Sequence, residues 1–331
     1  MCRTWEVEPK GELSAAEIGA LVAAMPRLCW LDLTGGEPLL RADFEQVVTA
    51  VLGTAPALAV LHFQTNGTFA ARAAAVARRV RTTRPEVDLI VTVSIDGPPD
   101  LHDAIRGRAG AYRRAIETAR ALREVAGVDV HVGTTLTADN AEAMPELEAA
   151  LERDLPDLDA TRWHVNLAHR SAHFFANGDV PDLVPPRPDA LIDAHLRRRG
   201  LPRDLVSLME SVYLVNLRAL QPGRPSGIGC EALRSTVFVS PEGDVYPCHL
   251  YDRPLGNVRQ TPFAEIWASA EVRRAREDID ALACGGCFSA CEAYPAMSGA
   301  PLRTAWWTAR RGLAALSSAR TSATRLPVLT R

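Results

Sequence analysis

The sequence predicts an α/β fold, in which a parallel sheet forms a full or partial barrel and a small cysteine-rich module follows. Helical and strand patterns alternate up to about residue 170, which indicates parallel strands joined by right-handed crossovers. A closed or strongly curved sheet accommodates this many strand–helix units easily, and an open, doubly wound sheet is the second possibility. Five of the seven cysteines lie between residues 230 and 291, and they predict the module.

The first predicted element is a helix that begins at a capping box, Ser14 with Glu17, and ends at Pro26. The elements after it are a strand over 28–33, a helix over 41–52, a strand over 58–64, a helix ending near 81, a strand over 89–95, a helix over 110–126, a strand over 128–136, a helix over 141–153 and a strand over 162–168. Since the first recognisable element is a helix, we predict a barrel that lacks its opening strand.

The second half of the chain changes character. Proline-rich residues 178–190 predict a linker, and residues 201–220 predict a long helix. The turn residues 240–243 predict a β-hairpin, and a short helix is predicted over 262–276. The predicted domains are a core over 1–178, a linker and helix over 179–226, a module over 227–293 and a basic tail over 294–331.

Composition excludes several classes of protein. The formal net charge of −3 argues against a nucleic-acid-binding protein, which usually carries a basic excess. No apolar run reaches the roughly 18 residues of an integral membrane segment. Residues 1–10 lack the apolar core of a secretory signal, so we expect a cytoplasmic protein. A cytoplasmic cysteine cluster more often binds metal than forms disulfides.

Three turns follow successive predicted strands: Gly35-Gly36-Glu37, Thr65-Asn66-Gly67 and Ser94-Ile95-Asp96-Gly97. In parallel α/β sheets, ligands bind beyond the carboxyl ends of the strands. Paired glycines let the backbone approach a ligand, Glu37 is suited to an ammonium group, and Ser94 and Asp96 are suited to a ribose. One such turn is usually only a turn, but three at equivalent places predict a binding site.

These turns resemble those of the radical S-adenosylmethionine (SAM) superfamily. The resemblance extends to the flanking residues: Leu33-Thr34 before the first turn, Pro38-Leu39 directly after it, and His102-Asp103-Ala104-Ile105-Arg106-Gly107 after the third turn. The resemblance implies a partial (β/α)6 barrel of the TIM type and a [4Fe–4S] cluster on three cysteines spaced C-x3-C-x2-C. It also implies that the cluster chelates SAM and cleaves it reductively to a 5′-deoxyadenosyl radical, which abstracts hydrogen from the substrate.

The resemblance implies roles for individual residues. It places Gly35, Gly36 and Glu37 at the methionine amino group, Asn66 in the adjoining turn, Ser94 and Asp96 near the ribose, and Arg106 at the carboxylate. Cys2 matches the third cluster cysteine, and the two upstream cysteines are absent from the sequence. We expect that the sequence as given starts downstream of these two cysteines, and not that the protein has lost the cluster, because the turns and the second module are intact.

The second cysteine set reads Cys230-x17-Cys248-x35-Cys284-x2-Cys287-x3-Cys291. Spacing alone leaves zinc and iron–sulfur at roughly even odds. The surrounding segments, 243–248, 255–258 and 266–267, resemble the SPASM/twitch extension of radical SAM enzymes. That resemblance implies one auxiliary [4Fe–4S] cluster on Cys230, Cys248, Cys284 and Cys287, with Cys291 as a spare or a replacement. Cys29, in an apolar strand pattern, is expected to be a buried small hydrophobe.

Histidines cluster near the last predicted strand. His164 and Asn166 are expected at the mouth of the barrel, where they are candidates for substrate contact. His169 and His173 are more simply explained as hydrogen-bonded loop residues than as metal ligands or a proton relay, since no acid or cysteine completes their set.

The resemblance implies a radical SAM oxidoreductase or maturase. Its expected substrate is a peptide, or a small alcohol or sugar, and the auxiliary cluster is expected to assist electron transfer. A ferredoxin or flavodoxin is the expected electron donor. Two other interpretations stay open: a non-catalytic [4Fe–4S] electron-transfer or scaffold protein, and a zinc-stabilised protein that binds a nucleotide-like ligand.

Overall fold

The computed structural model describes residues 2–8, 10–181, 183–219 and 226–311; the predicted tail beyond 311 lies outside this range. The helices are α1 (Ala15–Ala23), α2 (Phe44–Thr54), α3 (Ala70–Thr83), α4 (Pro99–Arg106), α5 (Ala111–Arg123), α6 (Met144–Asp154), α7 (Pro188–Arg199), α8 (Leu205–Arg218), α9 (Phe263–Ala268), α10 (Ala270–Asp280) and α11 (Ala290–Gly299). The strands are β1 (Trp30–Leu33), β2 (Val60–Thr65), β3 (Asp88–Ser94), β4 (Val128–Leu136), β5 (Trp163–Leu167), β6 (Phe238–Val239), β7 (Asp244–Tyr246) and β8 (Gly256–Asn257).

The first five strands form one parallel sheet in the order β1-β2-β3-β4-β5. Each strand pairs with the next strand along the chain; for example, Leu33 lies opposite Phe63. A doubly wound sheet reverses its strand order at a switch point, so the sequential order rules out that alternative. Closure of the sheet into a partial barrel stays a prediction.

The two faces of this sheet differ in chemistry because side chains alternate along each strand. One face packs beneath the helices and is apolar, with Phe63, Val91 and Val165 fully buried. The opposite face carries polar side chains, and we refer to it as the polar face. Its members that matter below are Asp32, His62, Thr92, His131 and His164.

Several predicted elements are confirmed. The Ser14 hydroxyl accepts the Glu17 N–H at 3.3 Å while Glu17 accepts the Ser14 N–H at 2.8 Å, so the capping box opens α1. The predicted hairpin is β6 and β7, with Gly243 in the left-handed region at φ +94°.

Other predictions need correction. Helix α7 occupies the end of the predicted linker, and its Pro188 stands at the first helical position, where a missing N–H costs nothing. Helix α4 likewise begins at Pro99 and was not predicted. The helix predicted over 262–276 is two helices, because Ser269 ends α9 and its hydroxyl caps α10. Cys29 is exposed and precedes β1 instead of lying buried within a strand.

The cysteine-rich segment has a small core of its own. Strands β6, β7 and β8 form an antiparallel sheet, and Val245, Ile266 and Val272 pack beside it. Helix α11 instead buries Ala293 and Met297 in the main core, next to α8. Cys291 on α11 therefore connects the two parts of the molecule. Within the described ranges, no helix is long and apolar enough to cross a membrane.

Candidate active site at the strand ends and the cysteine module

The turn after β1 is shaped by its two glycines. Gly35 has φ +151°, a conformation that favours glycine, and a Cβ atom there would meet nothing within 4 Å. A Cβ atom on Gly36 would lie 3.6 Å from the Thr4 hydroxyl. The segment that holds Cys2 therefore lies beside this turn, and the Cys2 sulfur is 3.2 Å from the same hydroxyl.

Glu37 connects two of the three turns through hydrogen bonds. Its buried carboxylate accepts hydrogen bonds from the Leu39 N–H at 3.1 Å, the Thr65 hydroxyl at 3.0 Å and the Asn66 N–H at 2.6 Å. Burial raises the pKa of this carboxyl group, although the three donors act against the shift. Glu37 thus joins the turns after β1 and β2, a bracing role that the sequence did not reveal.

Asp96 anchors the third turn. One carboxylate oxygen pairs with Arg106 at 2.5 Å, and the other accepts the Thr135 N–H at 2.9 Å. The Asp96 N–H donates to His102 Nδ1 at 3.0 Å. The Arg106 charge also acts on Glu37, so these two predicted carboxylates and the arginine meet in one place.

Two further predicted residues lie at the same strand ends. The Asn66 side chain accepts the Thr68 N–H at 2.9 Å, and Ser94 ends β3 half-buried. The chemistry of the group fits a ligand with a carboxylate, because Arg106 Nε is buried and finds no hydrogen-bond partner among the described residues. A SAM molecule carries such a carboxylate.

The polar face holds a hydrogen-bonded chain across β1, β2 and β3. His62 Nδ1 lies 2.8 Å from Asp32 Oδ1, and His62 Nε2 lies 2.9 Å from the Thr92 hydroxyl. The Trp30 indole N–H donates to the same Asp32 oxygen at 2.9 Å. Burial alone would raise the pKa of Asp32, but His62 outweighs it and the pKa is lowered. Sequence reasoning missed this chain, although the alternation of polar residues in β1 and β2 was a usable signal.

The two residues predicted to contact substrate are tied to helices. His164 Nδ1 lies 2.7 Å from the buried Glu210 carboxylate, which also accepts the Tyr294 hydroxyl. Asn166 accepts the Tyr213 hydroxyl at 2.5 Å. Burial acts to raise the pKa of Glu210, but His164, Arg199 and the Tyr294 hydroxyl together lower it to about 2. His164 and Asn166 thus connect β5 to α8, and substrate contact stays a prediction for both.

His173 and His169 lie in the loop after β5. The His173 ring stacks on Tyr246 at 4.2 Å, and its Nε2 lies 3.1 Å from the Cys248 carbonyl oxygen. Burial lowers the pKa of His169 to about 4. His173 therefore makes hydrogen bonds as expected, one to the Ser171 hydroxyl in its own loop and one to the cysteine module. His169 Nε2 differs from the expectation, because it is buried and has no hydrogen-bond partner among the described residues.

The module gathers four of its cysteines in one region. Burial, the Glu292 carboxylate and the Cys287 and Cys284 thiols raise the pKa of Cys230 to about 12. The buried Cys248 sulfur accepts N–H groups of Leu250 at 3.4 Å and Tyr251 at 3.3 Å. Such N–H contacts to sulfur are typical of iron–sulfur ligands.

Cys291 approaches the same region from α11. Its side chain is accessible, yet surrounding atoms, Asp32 and Cys248 raise its pKa well above the usual range. Because Asp32 of β1 and Cys248 of the module both act on it, Cys291 lies between these two parts. Within the described ranges, no three His, Cys, Asp or Glu side chains converge closely enough for a single metal ion. Thiolate sulfur is nevertheless the donor that an iron–sulfur cluster takes, and Cys230, Cys248, Cys284 and Cys287 are near enough to act on one another electrostatically.

Comparison with known proteins agrees with this donor set. Residues 230–291 match the SPASM iron–sulfur cluster-binding domain. The chain is 30% identical over 311 residues to the AdoMet-dependent heme synthase of Methanosarcina barkeri, covering 84% of this chain and 80% of that protein. It is also 30% identical to the mycofactocin maturase MftC of Mycolicibacterium smegmatis, covering 85% of this chain and 69% of the relative.

A solved structure shares the fold. Streptococcus suis SuiB superposes with a TM-score of 0.54 at 14% identity, covering 80% of this chain and 60% of SuiB. The relatives are SAM-dependent enzymes, and the SPASM domain binds iron–sulfur clusters, so [4Fe–4S] clusters and SAM are the cofactors of the group. The chain therefore belongs to the radical SAM enzymes that carry a SPASM domain.

Proposed function

We propose that this chain binds SAM at the strand-end turns and uses it to abstract hydrogen from a substrate held on the polar face. The residues proposed to bind SAM are Gly35, Gly36, Glu37, Asn66, Ser94, Asp96 and Arg106. One observation carries the proposal: Arg106, at the end of α4, meets Glu37 and Asp96 beyond the carboxyl ends of the parallel strands β1 and β3, and its Nε has no hydrogen-bond partner among the described residues. When bound, a reduced [4Fe–4S] cluster would supply the electron for the reductive cleavage of SAM.

The chain's own residues would then bind and orient the ligand. Arg106 Nε is the free donor for the methionine carboxylate, and the Gly35 and Gly36 backbone borders the amino group. Asp96 keeps Arg106 in position through their ion pair. Cys2, beside the same turn, would contribute a thiolate to the SAM-binding cluster.

We also propose that Cys230, Cys248, Cys284 and Cys287 hold an auxiliary [4Fe–4S] cluster, with Cys291 as the alternative ligand. Thiols whose pKa is raised by burial ionise only when a cation compensates their charge, and an iron–sulfur cluster provides that compensation. The position of Cys291 near Asp32 supports a role for the cluster in electron transfer to or from the substrate.

For the substrate we propose a peptide, because a maturase is among the relatives. A tetrapyrrole is the second candidate, since a heme synthase is equally similar. A small alcohol or sugar has no comparable support among these relatives. A cytoplasmic location and a ferredoxin or flavodoxin as electron donor complete the proposal.

The test uses the natural full-length protein, purified without oxygen and loaded with iron and sulfide. With SAM and dithionite, we expect 5′-deoxyadenosine and methionine in equal amounts by liquid chromatography. Arg106→Gln should weaken SAM binding about tenfold, the loss of one charge-assisted contact. A protein that carries iron but neither binds nor cleaves SAM would contradict the proposal.

A further inference from the structure

Asp32 is an unusual carboxylate on the polar face because only one of its oxygens is used. Oδ1 lies 2.8 Å from His62 Nδ1 and 2.9 Å from the Trp30 indole nitrogen. Among the described residues, none donates a hydrogen bond to Oδ2. Since a carboxylate only accepts, His62 Nδ1 carries the proton in this contact, and Nε2 can accept from Thr92.

The unused oxygen belongs to a side chain that is accessible and lies near Cys291 of the module. The Asp32 side chain is 34% exposed, and its charge acts on Cys291 and on His249. His62 and Trp30 both contact the other oxygen, Oδ1, so their contacts leave Oδ2 available to a ligand.

Trp30 adds an aromatic surface to the same place. Its side chain is two residues before Asp32 on the same face of β1, and its indole nitrogen is tied to the carboxylate. The residue is nevertheless 44% exposed. A cation near an accessible indole and a carboxylate is attracted in two ways, by the charge of the carboxylate and by the face of the indole ring.

We propose that Asp32 and Trp30 form a subsite that binds a protonated amine or guanidinium group of the substrate, with His62 and Thr92 as positioning residues. Asp32 lies three residues before Gly35 on the same chain segment, so the subsite is about 10 Å from the turn that faces SAM. A cationic group held there would place neighbouring C–H bonds between the SAM turns and the cysteine module.

The subsite rests on the proposed function only for the identity of its natural ligand. It favours a peptide with a lysine, an arginine or a free amino group at this point. A substrate that presents a carboxylate here is disfavoured, because like charges repel.

The experiment uses the iron-loaded full-length protein without SAM, with n-butylammonium as probe and n-butanol as its neutral counterpart. The reporter is the Trp30 indole N–H resonance, assigned with Trp30→Phe. We expect a saturable shift with n-butylammonium and none with n-butanol. Asp32→Asn, which keeps the shape and the acceptor oxygen, should weaken binding about tenfold or more.

Two further variants distinguish the loss of the Asp32 charge from a general change in the structure of the protein. Asp88→Asn, at the exposed start of β3, removes a carboxylate outside the subsite and should leave the affinity within about threefold. His62→Gln keeps the Asp32 charge but loses its positioning contact, and it should weaken binding by less than Asp32→Asn does. Thermal unfolding shows whether each variant is folded. Equal binding in wild type and Asp32→Asn, or no shift of Trp30 in the wild type, would overturn the subsite. Because no SAM is present, a failed SAM-cleavage assay would leave this result unaffected.

Discussion

At the scale of single residues, the strand-end site owes its shape to carboxylates that accept backbone N–H groups. Glu37 receives the Leu39 and Asn66 amides, and Asp96 receives the Thr135 amide. These bonds fix turns that have no regular structure of their own. Loss of such a buried acceptor leaves donors unpaired, which costs about 1–3 kcal/mol each.

Glu37→Ala is therefore expected to weaken SAM binding by at least about tenfold, because two turns lose their common brace. Isothermal titration calorimetry measures the affinity. Cys284→Ala is the matched control, since it should reduce the iron content by the auxiliary cluster and leave SAM binding within about twofold. Equal loss of SAM binding in the two variants would show that the turns and the module do not have separate roles.

His102 supplies a pH dependence. Burial, and then the Arg106 charge, lower its pKa from 6.5 to about 4. Between these values the unfolded chain binds the proton and the folded chain does not, so stability is lost as pH falls from 6.5 towards 4. The difference corresponds to about 3 kcal/mol. Urea unfolding at several pH values measures this decrease in the free energy of unfolding, which should be about 3 kcal/mol smaller in His102→Gln than in the wild type. The same pH profile in both proteins would contradict the role of His102.

At the scale of elements, the sequence predicted the five parallel strands because their apolar runs alternate with helical spacing. Helix α7 was not predicted because four prolines of the predicted linker precede or open it, whereas the helix buries Ile192 in the main core. The strand-end site was predictable from its turns. The alternation in β1 and β2 indicates a polar face, but the contact of Asp32 with His62 also depends on the register of the two strands, in which these residues lie opposite each other.

Gly67 offers a test of how closely the second turn packs on α5. Its φ is +77°, and a Cβ atom would lie 2.4 Å from the Ala115 Cα. Gly67→Ala should cost about 3 kcal/mol, from a left-handed residue and an overlap with backbone. Gly107→Ala is the control: φ is +62° but the space is open, so the cost should be about 1 kcal/mol. Urea unfolding that ranks the two variants equally would contradict this packing.

At the scale of the whole molecule, the cysteine module is fastened to the sheet domain at several separate points. Arg259 pairs with Glu17 at 2.6 Å and donates to the Glu12 carbonyl oxygen at 2.9 Å. His173 stacks on Tyr246, and α11 packs in the main core. The module is thus held over the end of the sheet, and Cys291 and Asp32 are brought near each other although they are distant in sequence.

Removal of the auxiliary cluster should therefore loosen the module and α11. The module's buried thiols stay protonated without a cation, so cluster binding is coupled to folding and raises the unfolding temperature. We expect Cys248→Ser to lower that temperature in the iron-loaded protein and to speed amide hydrogen exchange in β6, β7 and α11, with β2 and β3 unaffected. Cys29→Ser is the control, because Cys29 is exposed and outside the module. Exchange that rises throughout the sheet, or equal iron loss in both variants, would show that the cluster is not bound where the module and α11 meet.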